Sequence, residues 1–95
     1  MKRSGIKIHY NDNVVTATDD IYADEIVICN DGNLNIIAME SIPIYHKIAS
    51  KPIKKGERII KYGEVIGIAL NNISVGSWVH IHNLRSMSLY KEVES

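Results

Sequence analysis

Two short stretches of the sequence concentrate the side chains that could do chemistry. In the first, SWVHIHNL (residues 77–84), His80 and His82 are two residues apart and Asn83 follows them. Residues i and i+2 of a β-strand share a face, so an extended chain would place the two imidazoles side by side, about 6–7 Å apart at their Cα atoms. Such a pair could share a divalent metal ion or an anionic ligand.

The same strand interpretation predicts where the neighbouring side chains lie. Val79 and Ile81 would take the opposite face and be buried, so both histidines would point away from the core. Two ligands do not complete a metal site, and histidines are common on exposed strands. An incidental surface pair is therefore the alternative to a metal or substrate contact.

The second stretch, IPIYHKIAS (residues 42–50), places His46 directly before Lys47. Adjacent side chains of an extended chain point to opposite faces, so only one of the two would face a given site unless a bulge or turn re-aims the other. Imidazole moves protons near neutral pH, ammonium pairs with carboxylate, and an amide both donates to and accepts from hydroxyls. Together these groups suit an acidic, hydroxylated small molecule.

Short strands must position these groups. Runs rich in Ile, Val and Tyr alternate with turn residues, and the predicted strands are IKIHY, EIVIC, NIIAM, RIIKY, EVIGIAL and WVHIHNL. The predicted turns fall at Asn11-Asp12, Asp31-Gly32, Lys55-Gly56, Tyr62-Gly63 and Val75-Gly76. A single short helix could occupy Thr16–Ala23. The sequence therefore predicts an all-β fold class, mainly β-strands with at most one short helix.

One frame recurs three times, in Ala17–Val27, Ala49–Ile59 and Ala69–Val79. Alanine comes first, isoleucine fifth, a turn residue (Asp or Gly) eighth and an apolar residue eleventh. This order predicts a strand end, a corner anchored by a buried isoleucine, a residue in the left-handed conformation, and the next strand. Three such corners predict a compact, folded-over structure of short strands.

Length and composition limit the function classes. The 95 residues suit one domain, with a predicted core from about 6 to 84 and a tail over 85–95, and a core of this size encloses no complete site for a polar substrate without a partner chain or self-association. Eleven basic residues balance eleven acidic ones, which argues against nucleic acid or a membrane surface as partner. The single cysteine, Cys29, and the lack of a membrane-spanning apolar run predict a cytoplasmic protein.

Three segments together resemble a known family. The segments DNVVTATDDI, IPIYHKIASKPIKKGERIIKYGEVIGIA and ISVGSWVHIHNL look like the amino-terminal domain of the altronate/galactarate dehydratase family, which belongs to the SAF group and has a β-clip fold. The resemblance runs from about Ile6 to Leu84. In that family a small domain precedes a larger catalytic body that removes water from sugar acids, with a divalent metal such as iron or manganese.

The resemblance also implies partners. Some members split the two parts into separate subunits, as does the related sulfolactate sulfo-lyase. The chain resembles such a small subunit, which would not be active alone and would bind a sugar acid beside a large catalytic dehydratase subunit. A non-enzymatic module that binds anionic sugars or serves assembly is the alternative, and edge strands offer a route to homo-oligomers.

Site residues follow from the resemblance at matching positions. It implies a catalytic role for the pair His46 and Lys47. It implies that His80, His82 and Asn83 bind the substrate at the junction with the large subunit, and that Asp12 and Asn13 line the same junction. For His80 and His82 it also implies contact with a metal ion. The residue before the His-Lys pair is usually glycine in the family but is Tyr45 here, which leaves altronate, galactarate and sulfolactate open as substrates.

Overall fold

The computed structural model describes residues 2–30 and 35–86, and within these ranges the chain forms strands and turns but no helix. The strands of the described residues are β1 (Lys2–Ile6), β2 (Val14–Ala17), β3 (Ile26–Cys29), β4 (Asn35–Ile37), β5 (Lys47–Ala49), β6 (Arg58–Lys61), β7 (Glu64–Ala69), β8 (Trp78–Val79) and β9 (Leu84–Ser86). The predicted all-β fold class is confirmed. No helix in these ranges is long and apolar enough to cross a membrane.

The strands form two sheets. The larger has the order β4-β3-β1-β2-β5-β8 and the smaller has the order β6-β7-β9. β1 and β3 run parallel, and the other neighbouring strands run antiparallel. Val15 of β2 packs in one hydrophobic cluster, whereas the adjacent Val14 packs in a second cluster with Ile59 of β6. Because β2 is buried on both faces, it fixes the two sheets against each other.

The corner frame is present four times rather than three. Corner 1 is Ala17–Val27, corner 2 is Ala38–Ile48, corner 3 is Ala49–Ile59 and corner 4 is Ala69–Val79. The alanine at position one, the isoleucine at position five and the Val or Ile at position eleven are buried in all four. The sequence pattern missed corner 2 because Tyr45 stands at position eight, where the frame calls for Gly or Asp.

The corners interlock in two pairs, corner 1 with corner 2 and corner 3 with corner 4. The isoleucines at position five form antiparallel bridges, Ile21 with Ile42 and Ile53 with Ile73. Each N–H at position eight donates to the alanine carbonyl of the partner corner, and each alanine N–H donates to the partner's carbonyl at position nine, all at 2.7–2.9 Å. The same reciprocal arrangement therefore holds both pairs together.

Position eight has a left-handed backbone in every corner. The φ angle is 70° at Asp24, 69° at Tyr45, 87° at Gly56 and 91° at Gly76. The N–H of position nine donates to the carbonyl of position six, so position eight is the third residue of a turn that requires positive φ. The prediction of left-handed backbone at three of these positions is confirmed. At Tyr45 this conformation costs about 1–2 kcal/mol because the residue carries a Cβ.

The two edges of the larger sheet are tied together by the chain beside β4 and β8. Met39 N–H donates to the carbonyl of Gly76 at 2.9 Å, and the Glu40 carboxylate accepts a hydrogen bond from Trp78 N–H at 3.1 Å. A Cβ at Gly76 would collide with the carbonyl oxygen of Ile37. Glycine is therefore required at this position by close approach as well as by φ.

Two predictions for the first quarter of the chain differ from the structure. IKIHY is not a strand, since β1 ends at Ile6 and the backbone of His9 bonds to Asp12 in a turn. Thr16–Ala23 contains no helix, because β2 runs to Ala17 and an isolated bridge forms at Ile21. The predicted Asp31-Gly32 turn lies outside the described residues. The described strands run from Lys2 to Ser86, and the division into a core from about 6 to 84 and a tail over 85–95 stays a prediction.

Replacing Tyr45 with glycine is expected to stabilise the fold. The ring is 72% exposed, so its loss removes little buried area, whereas the left-handed backbone becomes unstrained. Glycine's greater freedom in the unfolded chain offsets part of this gain, which leaves about 0.5–1 kcal/mol in favour of the variant by denaturant unfolding.

A matched control is Tyr22→Gly, which removes an exposed tyrosine from position six of corner 1. That variant should lose at least about 0.5–1 kcal/mol, since it gains unfolded-state freedom and also loses the contact between the Tyr22 ring and the Arg3 guanidinium. Equal destabilisation by the two variants would contradict a strained backbone at Tyr45.

Candidate functional site

The start of β5 and the turn after β8 bring three of the predicted histidines to one tryptophan. The rings of His46 and His80 lie 4.7 Å apart between centroids. Trp78 stacks on His80 at 5.3 Å with an interplanar angle of 8°, and the ring of His82 lies 5.3 Å from the same indole. We call His46, Trp78, His80 and His82 the imidazole cluster.

The predicted strand WVHIHNL is wrong beyond Val79, because the chain turns there. The His80 carbonyl accepts hydrogen bonds from the N–H groups of Asn83 and Leu84, at 3.0 and 2.9 Å. Ile81, predicted to be buried, is 78% exposed. The two histidines therefore share a neighbourhood through a turn around Trp78 rather than through the alternation of a strand.

Asn83 holds this turn. Its side-chain carbonyl accepts from the N–H of His80 at 2.9 Å, and its amide donates to the carbonyl of Trp78 at 2.8 Å. The residue is buried. Asparagine commonly bonds nearby backbone in this way and so diverts a chain from a strand. The side chain of Asn83 is engaged with the backbone that presents the histidines, and substrate binding by this residue stays a prediction.

His46 stands at position nine of corner 2, and the residue at position six explains why an imidazole fits there. In corners 1 and 3, position nine is a glutamate whose carboxylate accepts the N–H of position six, Glu25 from Tyr22 and Glu57 from Lys54, each at 2.7 Å. In corner 2, position six is Pro43, which has no N–H to offer. The side chain of His46 is therefore released to contact the cluster.

Trp78 is the member of the site that sequence reasoning did not find. Its indole Nε1–H donates to Nδ1 of His46 at 3.1 Å, and the ring packs partly buried against the larger core cluster. A signal was present in the sequence: Trp78 precedes His80 by two residues and is the only tryptophan of the chain. Only imidazole, ammonium and amide groups were weighed in the sequence, so the indole on the same predicted strand face as His80 and His82 was not considered.

Lys47 lies near this cluster, and strand pairing in the larger sheet fixes its position. It pairs with Thr16 of β2 and Val79 of β8 across the sheet and is half-buried. Burial lowers the pKa of Lys47, and the ammonium of Lys61 lowers it further. The hydroxyl oxygen of Thr16 on the facing strand is buried and has no hydrogen-bond partner among residues 2–30 and 35–86.

The cluster is electrostatically crowded with groups that can carry positive charge. Desolvation lowers the pKa of His80, and the charges of His46, Lys47 and His82 lower it further. Removing water and adding like charge both disfavour the imidazolium form. A bound anion would relieve this repulsion, so the arrangement is suited to an acid.

Asp12 and Asn13 brace the β6–β7 hairpin. Asp12 is buried, and its carboxylate accepts the N–H groups of His9 and Gly63 at 3.0 and 2.8 Å. Burial raises the pKa of the Asp12 carboxyl, but hydrogen bonds from backbone N–H groups, with Gly63 first, outweigh it and bring the pKa below its usual value. Asn13 accepts from the N–H of Ile60 and donates to the carbonyl of Arg58. Both side chains are therefore engaged with backbone rather than directed to the imidazole cluster.

The residues of this site do not fit a divalent metal on their own. Within residues 2–30 and 35–86, no group of three or more His, Cys, Asp or Glu side chains is placed to hold a metal ion. A metal-bound imidazole normally donates its second nitrogen to an acceptor, whereas Nδ1 of His46 accepts from Trp78. Metal contact by His80 and His82 stays a prediction that requires further ligands from another chain.

A cavity of about 300 Å³ lies beside the indole of Trp78. It is formed where corners 1 and 2 meet, and its lining is Asp20, Ile21, Tyr22, Ser41, Ile42, Pro43 and Trp78. The histidines do not line it. His82 is exposed, whereas His46 and His80 are half-buried, so the imidazole cluster lies partly open to solvent, where another chain could cover it.

The comparisons with known proteins decide the family. A family model described as the altronate/galactarate dehydratase SAF domain matches residues 3–87, which is most of the chain. The chain belongs to the altronate/galactarate dehydratase SAF-domain family. The resemblance stated from the motifs is thus confirmed over a slightly longer range.

Relatives of this SAF domain include two altronate dehydratases. The protein from Bacillus subtilis is 39% identical over 84 residues, covering 88% of this chain and 16% of that protein. The one from Escherichia coli is 41% identical over 81 residues, covering 85% and 16%. The chain therefore spans about a sixth of the length of these relatives.

A third relative of the SAF domain differs in size. It is the (2R)-sulfolactate sulfo-lyase subunit alpha of Paracoccus pantotrophus, 38% identical over 61 residues. The match covers 64% of this chain and 91% of that subunit. The match therefore covers most of the length of a relative that is itself named as a subunit.

Truncating Asn83 to alanine is expected to destabilise the turn of this SAF domain. The change removes two hydrogen bonds and leaves the N–H of His80 and the carbonyl of Trp78 without their partner, at a cost of about 1–3 kcal/mol by denaturant unfolding. The exposed neighbour His82→Ala is the control and should change stability by less than about 0.5 kcal/mol. Equal stability of the Asn83 variant and the wild type would contradict the structural role.

Proposed function

We propose that this chain is the small subunit of a sugar-acid dehydratase of the altronate/galactarate type, working beside a separate large catalytic subunit. The observation that carries the proposal is the convergence of His46, His80 and His82 on Trp78, with Lys47 close enough to lower the pKa of His80. Family membership supports the reaction class.

The proposed role of this chain is to bind the acid. Imidazoles and an ammonium at one surface attract a carboxylate, and ring N–H groups donate to carboxylate or hydroxyl oxygens. Dehydration next to a carboxylate also requires a base for the α-proton and assistance to the leaving hydroxide. The described residues offer no cluster of carboxylates at this surface, so we assign these steps, and the metal ligation, to the large subunit.

A second candidate is the small subunit of a sulfolactate sulfo-lyase. It is favoured by the sulfo-lyase relative, whose alpha subunit is covered over 91% of its length. A sulfonate, like a carboxylate, is an anion that the same imidazoles and ammonium suit. The two candidates share a binding chemistry and differ in the group that leaves.

The experiment that tests the function is reconstitution. The chain is mixed with the large dehydratase-like chain encoded in the same genome and with Fe²⁺ or Mn²⁺, and turnover of altronate, galactarate and sulfolactate is measured. His46→Ala and His82→Ala should each lower kcat/KM by about 10- to 100-fold, because each removes a group in contact with the acid.

His9→Ala is the matched control, since this fourth histidine stacks on Tyr10 and packs against Gly63 away from the cluster. Its kcat/KM should stay within about twofold of wild type. Full activity and unchanged substrate affinity in the His46 and His82 variants would refute the site. Tight acid binding by the chain without turnover with any large subunit would instead identify a binding module.

Acid binding is expected to take up protons. The pKa of His80 is lowered in the free chain, so at pH 6.5, the ordinary histidine value, its imidazole is mostly neutral. A bound anion favours the charged form and raises that pKa, so affinity should rise as pH falls from 8 to 6, by up to about tenfold per pH unit. Calorimetry of acid binding to the assembled protein in two buffers of different ionisation enthalpy measures the uptake.

The groups facing His80 are His46 and Lys47 from the β5 side and His82 from its own turn. His80→Gln should therefore reduce the uptake, while the remaining histidines account for any residual part. Release of protons on binding, or an affinity independent of pH, would contradict this electrostatic picture.

A further inference from the structure

The contact between Trp78 and His46 determines which nitrogen of the imidazole is available. An indole N–H can only donate, and it lies 3.1 Å from Nδ1 of His46. Nδ1 must therefore be an acceptor, and in the neutral ring the proton resides on Nε2. The free nitrogen of His46 is thus an N–H donor without a lone pair.

The orientation of the indole is itself fixed from several sides. Trp78 lies on β8, where its backbone pairs with Ile48 of β5. Its backbone N–H donates to the Glu40 carboxylate, and its backbone carbonyl accepts from the side-chain amide of Asn83. The ring packs on the larger core cluster and stacks on His80. A donor held this firmly can impose a tautomer on its partner.

We infer that Trp78 is a positioning residue that holds His46 as a neutral Nε2–H donor toward an oxygen of the acid, rather than as a base or a metal ligand. This inference deepens the proposed function and rests on it for the identity of the ligand. A base or a metal ligand needs a free lone pair on Nε2, whereas in His46 the lone pair is on Nδ1, where it accepts from Trp78, and Nε2 carries the proton. A neutral imidazole that donates a hydrogen bond to a substrate oxygen is an established catalytic device in other enzymes.

The donor role also agrees with the surrounding charge. Desolvation lowers the pKa of His80, and positive charge on His46, Lys47 and His82 lowers it further. An imidazolium at His46 is thus the first of these charges to repel a protonated His80, whereas a neutral donor contacts an anion without that repulsion. The tryptophan thus supplies a hydrogen-bond donor at this point without a net charge.

The test is nuclear magnetic resonance of the full ¹⁵N-labelled chain at pH 8. Long-range ¹H–¹⁵N spectra report which ring nitrogen carries the proton, and the exchange of the Trp78 indole proton with water reports its hydrogen bond. We expect Nε2–H at His46 and a protected indole proton. Trp78→Phe, which keeps an aromatic ring but has no N–H, should let Nδ1–H appear at His46.

Glu40→Gln is the matched control, because it changes the group bonded to the backbone of Trp78 and leaves the indole alone. It should preserve both the tautomer and the protected indole proton. Amide dispersion and exchange protection at the core residue Val79 show whether each variant is folded. An Nδ1–H tautomer in the wild type, or an indole proton that exchanges as fast as that of free tryptophan, would overturn the inference.

Galactarate and altronate binding to the assembled protein separates this inference from the proposed function. Loss of the oriented donor should weaken acid binding by Trp78→Phe about five- to tenfold, the equivalent of one hydrogen bond. If acid binds and the variant binds it equally well, the donor role is wrong and the proposed function survives. If neither protein binds acid although the tautomer is as expected, the positioning stands and the proposed function fails.

Discussion

The structure depends on one reciprocal exchange of backbone hydrogen bonds. In each pair of corners the residue at position eight donates to the partner's alanine carbonyl, and that alanine donates back to position nine. The exchange brings two backbones so close that the first position must be small, and it demands left-handed geometry at position eight. Two pairs built in this way satisfy backbone N–H and carbonyl groups at positions one, eight and nine and let a chain of very short strands close around two cores.

The site arises from a variation within this repeated unit. In corners 1 and 3 the glutamate at position nine accepts a hydrogen bond from the N–H of position six. Pro43 has no N–H at position six of corner 2, so His46 is not needed as an acceptor and can face outward. The interlock then fixes where that histidine lies, because its carbonyl accepts from the N–H of Ala17. Trp78, at position ten of corner 4, reaches it across the β5–β8 pair. Side chains thus supply the chemical groups of the site, and backbone hydrogen bonds between the corners fix where those side chains lie.

Much of the fold could be predicted because it depends on local rules. Alternating apolar runs predicted strands, and Gly or Asp at position eight predicted left-handed corners, both of which the structure contains. Corner 2 was not found because Tyr45 adopts a left-handed backbone that the pattern reserves for Gly or Asp. The course of the chain after Val79 escaped as well, since it depends on Asn83 bonding to particular backbone groups rather than on periodicity.

The absence of an N–H at position six has an implication for engineering. In corner 3 the N–H of Lys54 donates a hydrogen bond to the carboxylate of Glu57. Corner 2 does not need this acceptor, because Pro43 has no N–H. A proline introduced at Lys54 would leave position nine of that corner free to accept a foreign side chain. Position nine of corner 3 is therefore a second, equivalent position at which a designed binding group could be installed. The reciprocal backbone hydrogen bonds between the paired corners would stay intact.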